Sequence, residues 1–409
     1  MRVRIDRLGH RGDGIAEGPV YVPGALPGEE VEGDLDGDRI EAPRILSRSA
    51  DRTEPPCPNY ATCGGCALMH ASDPFVGRWK VGIVRQALEA RGLPAPIRGI
   101  ATSPPQSRRR ATFSGRRTKS GVIVGFHGRR SDTISRIGGC RVLVPQILAA
   151  MPVLERLTDA AASRKGDVAL VVTHGRDGLD VAIRGGAELG RDTLARLARI
   201  AADAGLARLS LDGETVAQDR PPAQRFGGVR AVPTPGAFLQ ATEQGQSALL
   251  ACVSRALGPA GRVVDLFAGC GTFALPVSRR AEVHAVEGDA AMTEALVAAW
   301  RGGRGHRPLT ATTRDLFRDP LAAAELSGFD AAIIDPPRAG AAAQTAEIAA
   351  SGIGTVAAIS CNPVTFARDA ERLVDAGFAL DWVRVVDQFR WSPHVELAAA
   401  FSRGEKVAP

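Results

Sequence analysis

Lysine is almost missing from this 409-residue chain. It occurs only at Lys80, Lys119, Lys165 and Lys406, so arginine carries nearly all of the positive charge. No apolar run is long enough to span a bilayer, and the start, Met1-Arg2-Val3-Arg4-Ile5-Asp6, has no apolar signal segment. These absences argue against a membrane-spanning or exported protein. The expectation is a cytoplasmic chain with no membrane partner. The seven cysteines are an odd number at uneven spacing, which argues against a disulfide framework. There is no internal repeat and no low-complexity segment.

What is present suits a globular protein of about two or three domains. Hydrophobic residues make up 44% of the chain, enough for a sizeable core, and the net charge is +6. A basic balance rich in arginine fits a polyanionic partner such as RNA. Arginine codons favoured by a GC-rich genome explain it equally well.

Residues 1–50 carry short β-like runs, at Val3–Ile5, Pro19–Val22 and Glu30–Gly33, with turn signals such as Gly12-Asp13-Gly14 and Pro27-Gly28 between them. A small all-β barrel is expected. Next, Cys57, Cys63 and Cys66 form a C-x5-C-x2-C run with Gly64-Gly65 inside it, and Cys140 follows Gly138-Gly139. Four thiolates suit zinc or an iron–sulfur cluster, and spacing alone does not choose between them.

Residues 75–92 have a helical period, with Phe75, Trp79, Ile83, Ala87 and Leu88 on one face and Gly92 and Pro94 ending the helix. The Arg108-Arg109-Arg110 run, followed by Arg116-Arg117 and flanked by Phe113 and Phe126, reads either as an RNA-binding strand face or as a solvated basic face. From 145 to 230, helices at 147–157 and 193–204 alternate with strands at 168–173 and 179–183, without a chemical motif. Pro221-Pro222 and Gly227-Gly228 mark a boundary.

From about 231 the pattern alternates β and α, which predicts a parallel sheet with helices on both faces. Arg262–Leu266 reads as its first strand, followed by the turn Phe267-Ala268-Gly269-Cys270-Gly271. A second strand ends at Glu287, 22 positions after Asp265, where an acid can accept from ribose hydroxyls. Gly269, Gly271 and Ala274 also fit a dinucleotide pattern. Asp265, suited to a cationic cofactor, and Asp315, suited to an adenine amino group, tilt the reading towards S-adenosylmethionine.

Further on, Asp335-Pro336-Pro337-Arg338 follows a strand, and Ser360-Cys361-Asn362-Pro363 follows another. A late acid, Glu396, leads into an apolar strand. A thiol at the carboxyl end of a parallel strand sits where such sheets present their chemistry. A lone cysteine there is more often a small buried hydrophobe.

Together, Asp335-Pro-Pro-Arg338-x-Gly340, Ser360-Cys361-Asn362-Pro363 and His394-x-Glu396 resemble the RNA uracil-5-methyltransferase family. The Asp265–Phe273 phrase resembles motif I of class I methyltransferases. The 8–29 region resembles the RNA-binding TRAM barrel. The resemblance implies a TRAM-like barrel at 1–50, a central α+β region at 51–230 carrying the four-cysteine centre, and a class I, Rossmann-like methyltransferase domain at 231–409. The helix at 75–92 is allowed to pack on the catalytic domain.

By the same resemblance, Cys361 attacks C6 of uracil, Glu396 removes the C5 proton and Asp335 supports it. Gln240, Asp265, Phe267, Gly269, Gly271, Glu287, Asp315 and Asp335 hold the cofactor. Cys57, Cys63, Cys66 and Cys140 hold a [4Fe-4S] cluster, with zinc the lesser possibility. The implied partner is RNA, 23S rRNA ahead of tRNA, and the protein is expected to be a monomer. An RNA-binding protein without catalysis and a nucleotide-dependent oxidoreductase are the competing readings. The intact Cys361 and Glu396 oppose the first, and the second leaves Cys361 unexplained.

Four places depart from the family pattern. Thr242 replaces an Asn, Ala358 replaces a Tyr, Arg390-Trp391 replace a Pro followed by Gln or His, and Ala298–Gly303 replaces an Asn-rich stretch.

Overall fold

The structure is a computed structural model, and it describes residues 1–93, 96–163, 166–186 and 190–404. Pro94, Lys165 and Lys406 lie outside them. The described chain folds around three main sheets. No described helix is long and apolar enough to cross a membrane.

The first sheet has five short antiparallel strands between Arg2 and Ser47. Ile5, Val22, Val31 and Ile40 form its core. Glu29 is fully buried within it. Burial pushes its carboxyl up, but Arg52 and the N–H groups of Leu26 and Ser49 outweigh that and hold it below its ordinary value. The Pro27-Gly28-Glu29 turn is thereby tied to the chain that leaves the sheet.

The second sheet has seven strands, built around Arg110–Thr118, Val168–Gly175 and Gly178–Arg184. The helices Met151–Ala161 and Arg191–Asp203 supply Leu154, Leu157, Leu197 and Ile200 to its core. The single helix expected at 147–157 is two, Pro145–Ala149 and Met151–Ala161. Pro152 stands in the first turn of the second, where its missing N–H leaves no bond unmade.

The third sheet has eight strands, in the order Leu309–Thr313, Glu282–Glu287, Arg262–Leu266, Ala331–Ile334, Thr355–Ser360, Glu396–Ser402, Ala379–Asp387, Ile97–Thr102. The first five run parallel, and Glu396–Ser402 is antiparallel to both of its neighbours. Continuous apolar runs such as Val356–Ile359 suit strands covered on both faces. The eighth strand comes from residues before 231. The helix Asp73–Glu89 packs beside it and against Pro363–Asp375.

That helix starts at Ser72, whose hydroxyl accepts from the Phe75 N–H. Its fully buried face is Val76, Lys80, Val84 and Leu88, one position round from the expected face, whose Phe75, Trp79, Ile83 and Ala87 are only partly covered. A hydrophobic pattern does not place a lysine in a core. Lys80 is there because its charge is met: Nζ donates to Asp387 Oδ1 at 2.6 Å and to Phe389 O at 3.1 Å.

Candidate active site

The parallel strands end together along one edge of the eight-stranded sheet, and the polar residues of the motifs follow those ends. Asp265 sits one residue before the end of Arg262–Leu266, and Glu287 closes its strand. Asp315, Asp335 and Cys361 follow the ends of theirs. Glu396 reaches the same edge from the other direction. Its strand is antiparallel and begins where the parallel ones stop, with Leu397 paired to Ser360. Topology therefore brings Cys361 and Glu396 together from positions 35 residues apart in sequence.

The turn after Asp265 has a left-handed backbone at Phe267 (φ 63°), Gly269 (φ 55°) and Gly271 (φ 92°). A Cβ at Gly271 would come within 2.7 Å of Leu275, so the tight turn excludes any side chain there. Glu287 accepts from the Gly269 N–H at 2.8 Å and from the Asp289 N–H at 3.0 Å, which ties the two strand ends into one cradle. Asp315 accepts from the Phe317 N–H at 3.0 Å, and Phe317, half exposed, leans on Phe267 with ring centroids 5.4 Å apart.

Asp265 is fully buried, and neither carboxylate oxygen has a hydrogen-bond partner among the described residues. Burial, aided by Asp335, raises its pKa well above the usual carboxylate range. A buried unpartnered carboxylate is costly. A cationic ligand would relieve that cost, so this cradle fits S-adenosylmethionine.

The acids beyond the cradle are tuned the same way. Burial pushes Asp335 up to about 7. Burial and then Asp335 push Glu396 up to about 8, against a lowering hydrogen bond from Gln388. Burial, then Glu396, then Asp335 raise the Cys361 thiol, so the three groups share one electrostatic site. Groups with pKa values near neutrality are suited to proton transfer.

Asn362 caps the helix Pro363–Asp375 by accepting from the Val364 N–H at 3.1 Å, and its Nδ2 donates to Arg338 O at 2.9 Å. The cap fixes the turn that carries Cys361. Arg338 in turn donates to His394 Nδ1 at 2.7 Å. Burial and Arg338 press His394 down to about 4, which keeps it neutral and able to accept.

Sequence reasoning missed Gln388. It is 2% exposed and its Nε2 donates to both Gln240 Oε1 and Glu396 Oε2. Its only sequence signal is a polar residue next to Asp387 at the end of an apolar strand.

A cleft of about 1480 Å³ leads to Cys361, Asn362 and Arg338 between the N-terminal sheet and the helix Asp73–Glu89. Arg7, Arg11 and Arg85 line it, and their side chains have no partner among the described residues.

A sequence profile described as tRNA (Uracil-5-)-methyltransferase matches residues 311–403. An uncharacterised RNA methyltransferase of Rhizobium meliloti (strain 1021) is 41% identical over 98% of this chain and 99% of its own. The 23S rRNA (uracil(1939)-C(5))-methyltransferase of Pseudomonas entomophila (strain L48) is 35% identical over 99% of this chain and 94% of its own. The chain belongs to the RNA (uracil-5-)-methyltransferase family. The Pyrococcus abyssi tRNA (uracil-54, C5)-methyltransferase, solved with S-adenosyl-L-homocysteine, superposes with a TM-score of 0.76 over 98% of this chain and 99% of that one. At 20% identity it shows the fold alone, that of a class I methyltransferase.

Two departures from the family pattern have local explanations in this methyltransferase. Thr242 caps the helix Glu243–Leu257 by accepting from the Gly245 N–H at 2.9 Å, a task that Asn performs equally well. Arg390 and Trp391 both bond Asp73, at the start of the helix Asp73–Glu89. The Trp391 carbonyl accepts from the N–H groups of Ala67 and Leu68 at 2.9 Å, just past the cysteine run. Nothing in the structure explains Ala358, which is simply buried in its strand, or the 298–303 stretch.

The Arg108–Arg110 run does not form the expected face. Arg109 is buried, donating to Gln246 Oε1 at 2.7 Å and Gln240 O at 3.4 Å, and Arg110 donates to Ala237 O at 2.9 Å. These arginines satisfy the carbonyls of the loop that carries Gln240. Phe113 is fully buried against Phe126 and offers no ring for stacking.

Cys57, Cys63, Cys66 and Cys140 line one cavity of about 1050 Å³. Burial and the other three thiols push Cys66 up to about 12. The Gly65 and Val142 N–H groups donate to Cys63 and Cys140 sulfurs at 3.4 and 3.5 Å. Among the described residues, no three acids, histidines or cysteines are placed closely enough to hold a metal ion.

Proposed function

We propose that this enzyme methylates C5 of a uridine in RNA, with 23S rRNA as the substrate class. The observation that carries the reading is the meeting of Cys361, Glu396 and Asp335 at one buried edge beside the Asp265–Gly271 cradle. The 35% identity to a 23S rRNA enzyme over nearly the whole chain favours rRNA.

S-adenosylmethionine, when bound, supplies an electrophilic methyl group. Asp265, Phe267, Gly269, Gly271, Glu287 and Asp315 would hold it, with Gln240 and Asp335. Cys361 loses its thiol proton to solvent water and the thiolate sulfur adds to C6 of the uracil, so the C5–C6 π electrons become an enolate. C5 then takes the methyl group as the S–CH3 bond breaks, its electron pair staying on the sulfur of the departing S-adenosyl-L-homocysteine, and C5 still holds its hydrogen at that step. Glu396, as carboxylate, removes the C5 proton. The electrons of that C–H bond re-form C5=C6 and expel the Cys361 thiolate. Splitting the reaction this way makes an unreactive carbon nucleophilic. Asp335 disfavours a second charge at Glu396 and so helps tune it. The target base must leave its stack to reach the edge, and the arginine-lined cleft would hold its phosphates.

We read residues 1–50 as a TRAM-like barrel, 51–230 as the cysteine-bearing RNA region and 231–409 as the catalytic domain, with 73–102 joined to the last. The four thiols have the donor chemistry of a [4Fe-4S] centre. Iron and acid-labile sulfide in protein purified without oxygen would support that assignment. Zinc alone in a colourless protein would refute it.

The test of the function is 5-methyluridine mapping in rRNA and tRNA from a deletion strain. Loss of one 23S rRNA methyluridine is expected. Loss confined to tRNA would overturn the rRNA assignment, and no loss in either would overturn the activity.

A further inference from the structure

Gln388 has every polar atom engaged. Its Nε2 carries two N–H groups and donates one to Gln240 Oε1 and one to Glu396 Oε2. Its Oε1 accepts from the Thr242 backbone N–H at 3.4 Å. Turning the amide over would set an oxygen against two acceptor oxygens, so only one orientation is tolerated.

The turn that carries it is fixed on both sides. Lys80 Nζ holds Asp387 Oδ1 and Phe389 O, the neighbours of Gln388 before and after, and the Phe389 N–H donates to Asp387 Oδ1 at 3.1 Å. Gln240 is held in turn. Its Oε1 is taken by Gln388. Thr242, two residues beyond Gln240, caps the next helix and bonds Ser103 Oγ at 2.7 Å, so the Gln240 loop does not drift.

We propose that Gln388 is a positioning residue that links Gln240 to Glu396, aims the Glu396 carboxyl group at the target carbon and favours its ionised form. The proposal rests on the reading that Glu396 is the base. Two titratable groups face Glu396: Asp335 from the turn after Ala331–Ile334 and Cys361 from the turn after Thr355–Ser360. Asp335 opposes its charge, and Lys80 is paired with Asp387. Gln388 is the donor that works against Asp335. A donated hydrogen bond favours the charged form of a carboxyl group.

The test uses Q388M, which keeps the side-chain length and removes the amide, and Q388N, which keeps the amide and withdraws it by one carbon. Binding of S-adenosyl-L-homocysteine within threefold of wild type reports an intact fold in each. The first readout needs no RNA. The carboxyl stretching band that disappears in E396Q is followed by infrared spectroscopy as pH is varied. Its midpoint should move up by about one pH unit in both variants, which is a tenfold change in the ionisation constant. The second readout is single-turnover methylation of rRNA. The rate at neutral pH should fall about tenfold, recover as pH is raised, and leave a covalent protein–RNA adduct behind.

An unmoved infrared midpoint in a folded variant overturns the proposal, whatever the substrate proves to be. If wild type methylates no RNA while the midpoint still moves, the positioning role stands and the substrate reading fails.

Discussion

Lys80 Nζ lies 2.6 Å from Asp387 Oδ1, and both side chains are buried, at 0% and 2% exposure. This pair joins a helix before the central sheet to the strand that ends beside the site, across 307 residues of sequence. Burial lowers the lysine's pKa and Asp387 works against that. Removing one partner of a buried pair leaves an uncompensated charge, at a cost of roughly 3–5 kcal/mol. Denaturant unfolding of K80M should show a loss of that order, and K80M/D387L should recover most of it. Equal stability of K80M and wild type would mean that the pair carries no structural weight.

Cys361→Ala should abolish methyl transfer while leaving cofactor binding within a few-fold, because Cys361 lies outside the Asp265–Gly271 cradle. Isothermal titration with S-adenosyl-L-homocysteine, alongside a radiolabel transfer assay on rRNA, separates the two effects. Turnover equal to wild type would remove the nucleophile assignment.

The pH dependence has opposite signs for activity and stability. Proton abstraction needs Glu396 ionised, so the single-turnover rate should climb as pH rises through about 8. Its folded pKa is raised above the ordinary 4.5, so its contribution to stability is complete below 4.5 and is lost as pH rises through about 8. Asp335, pushed up to about 7, acts with the same sign. Melting temperature should therefore fall between pH 6 and pH 9, and fall less in E396Q.

Thr242→Ala should cost about 1 kcal/mol through loss of the helix cap, whereas Thr242→Asn should be nearly neutral. Thermal unfolding of the two variants measures the difference. A large loss in T242N would mean that the hydroxyl pair with Ser103 matters more than the cap.

These sites differ in how far the sequence exposes them. The alternating pattern after 231 makes the parallel sheet legible, and each motif residue stands at or beside a strand end because short apolar runs stop at it. The Glu396 strand is legible as apolar, but its antiparallel direction is not, and that direction is what sets Glu396 beside Cys361. Lys80 and Asp387 show no periodic signal, since each is acceptable in a core only because of the other. Arg109 misleads for a related reason: a cluster of arginines looks like a surface until its carbonyl and Gln246 partners are known. Gln388 carries only the faint signal of a polar residue beside Asp387, as its role depends on two acceptors that converge from different parts of the chain.

The central claim is that Cys361 bonds the uracil and Glu396 releases it. Incubating Glu396→Gln with S-adenosylmethionine and unmethylated 23S rRNA, followed by mass spectrometry of the nuclease- and protease-digested product, tests it most directly. The account predicts a methylated uridine attached to the peptide carrying Cys361, absent from Cys361→Ala. Full methyl transfer by E396Q with no such adduct would contradict it.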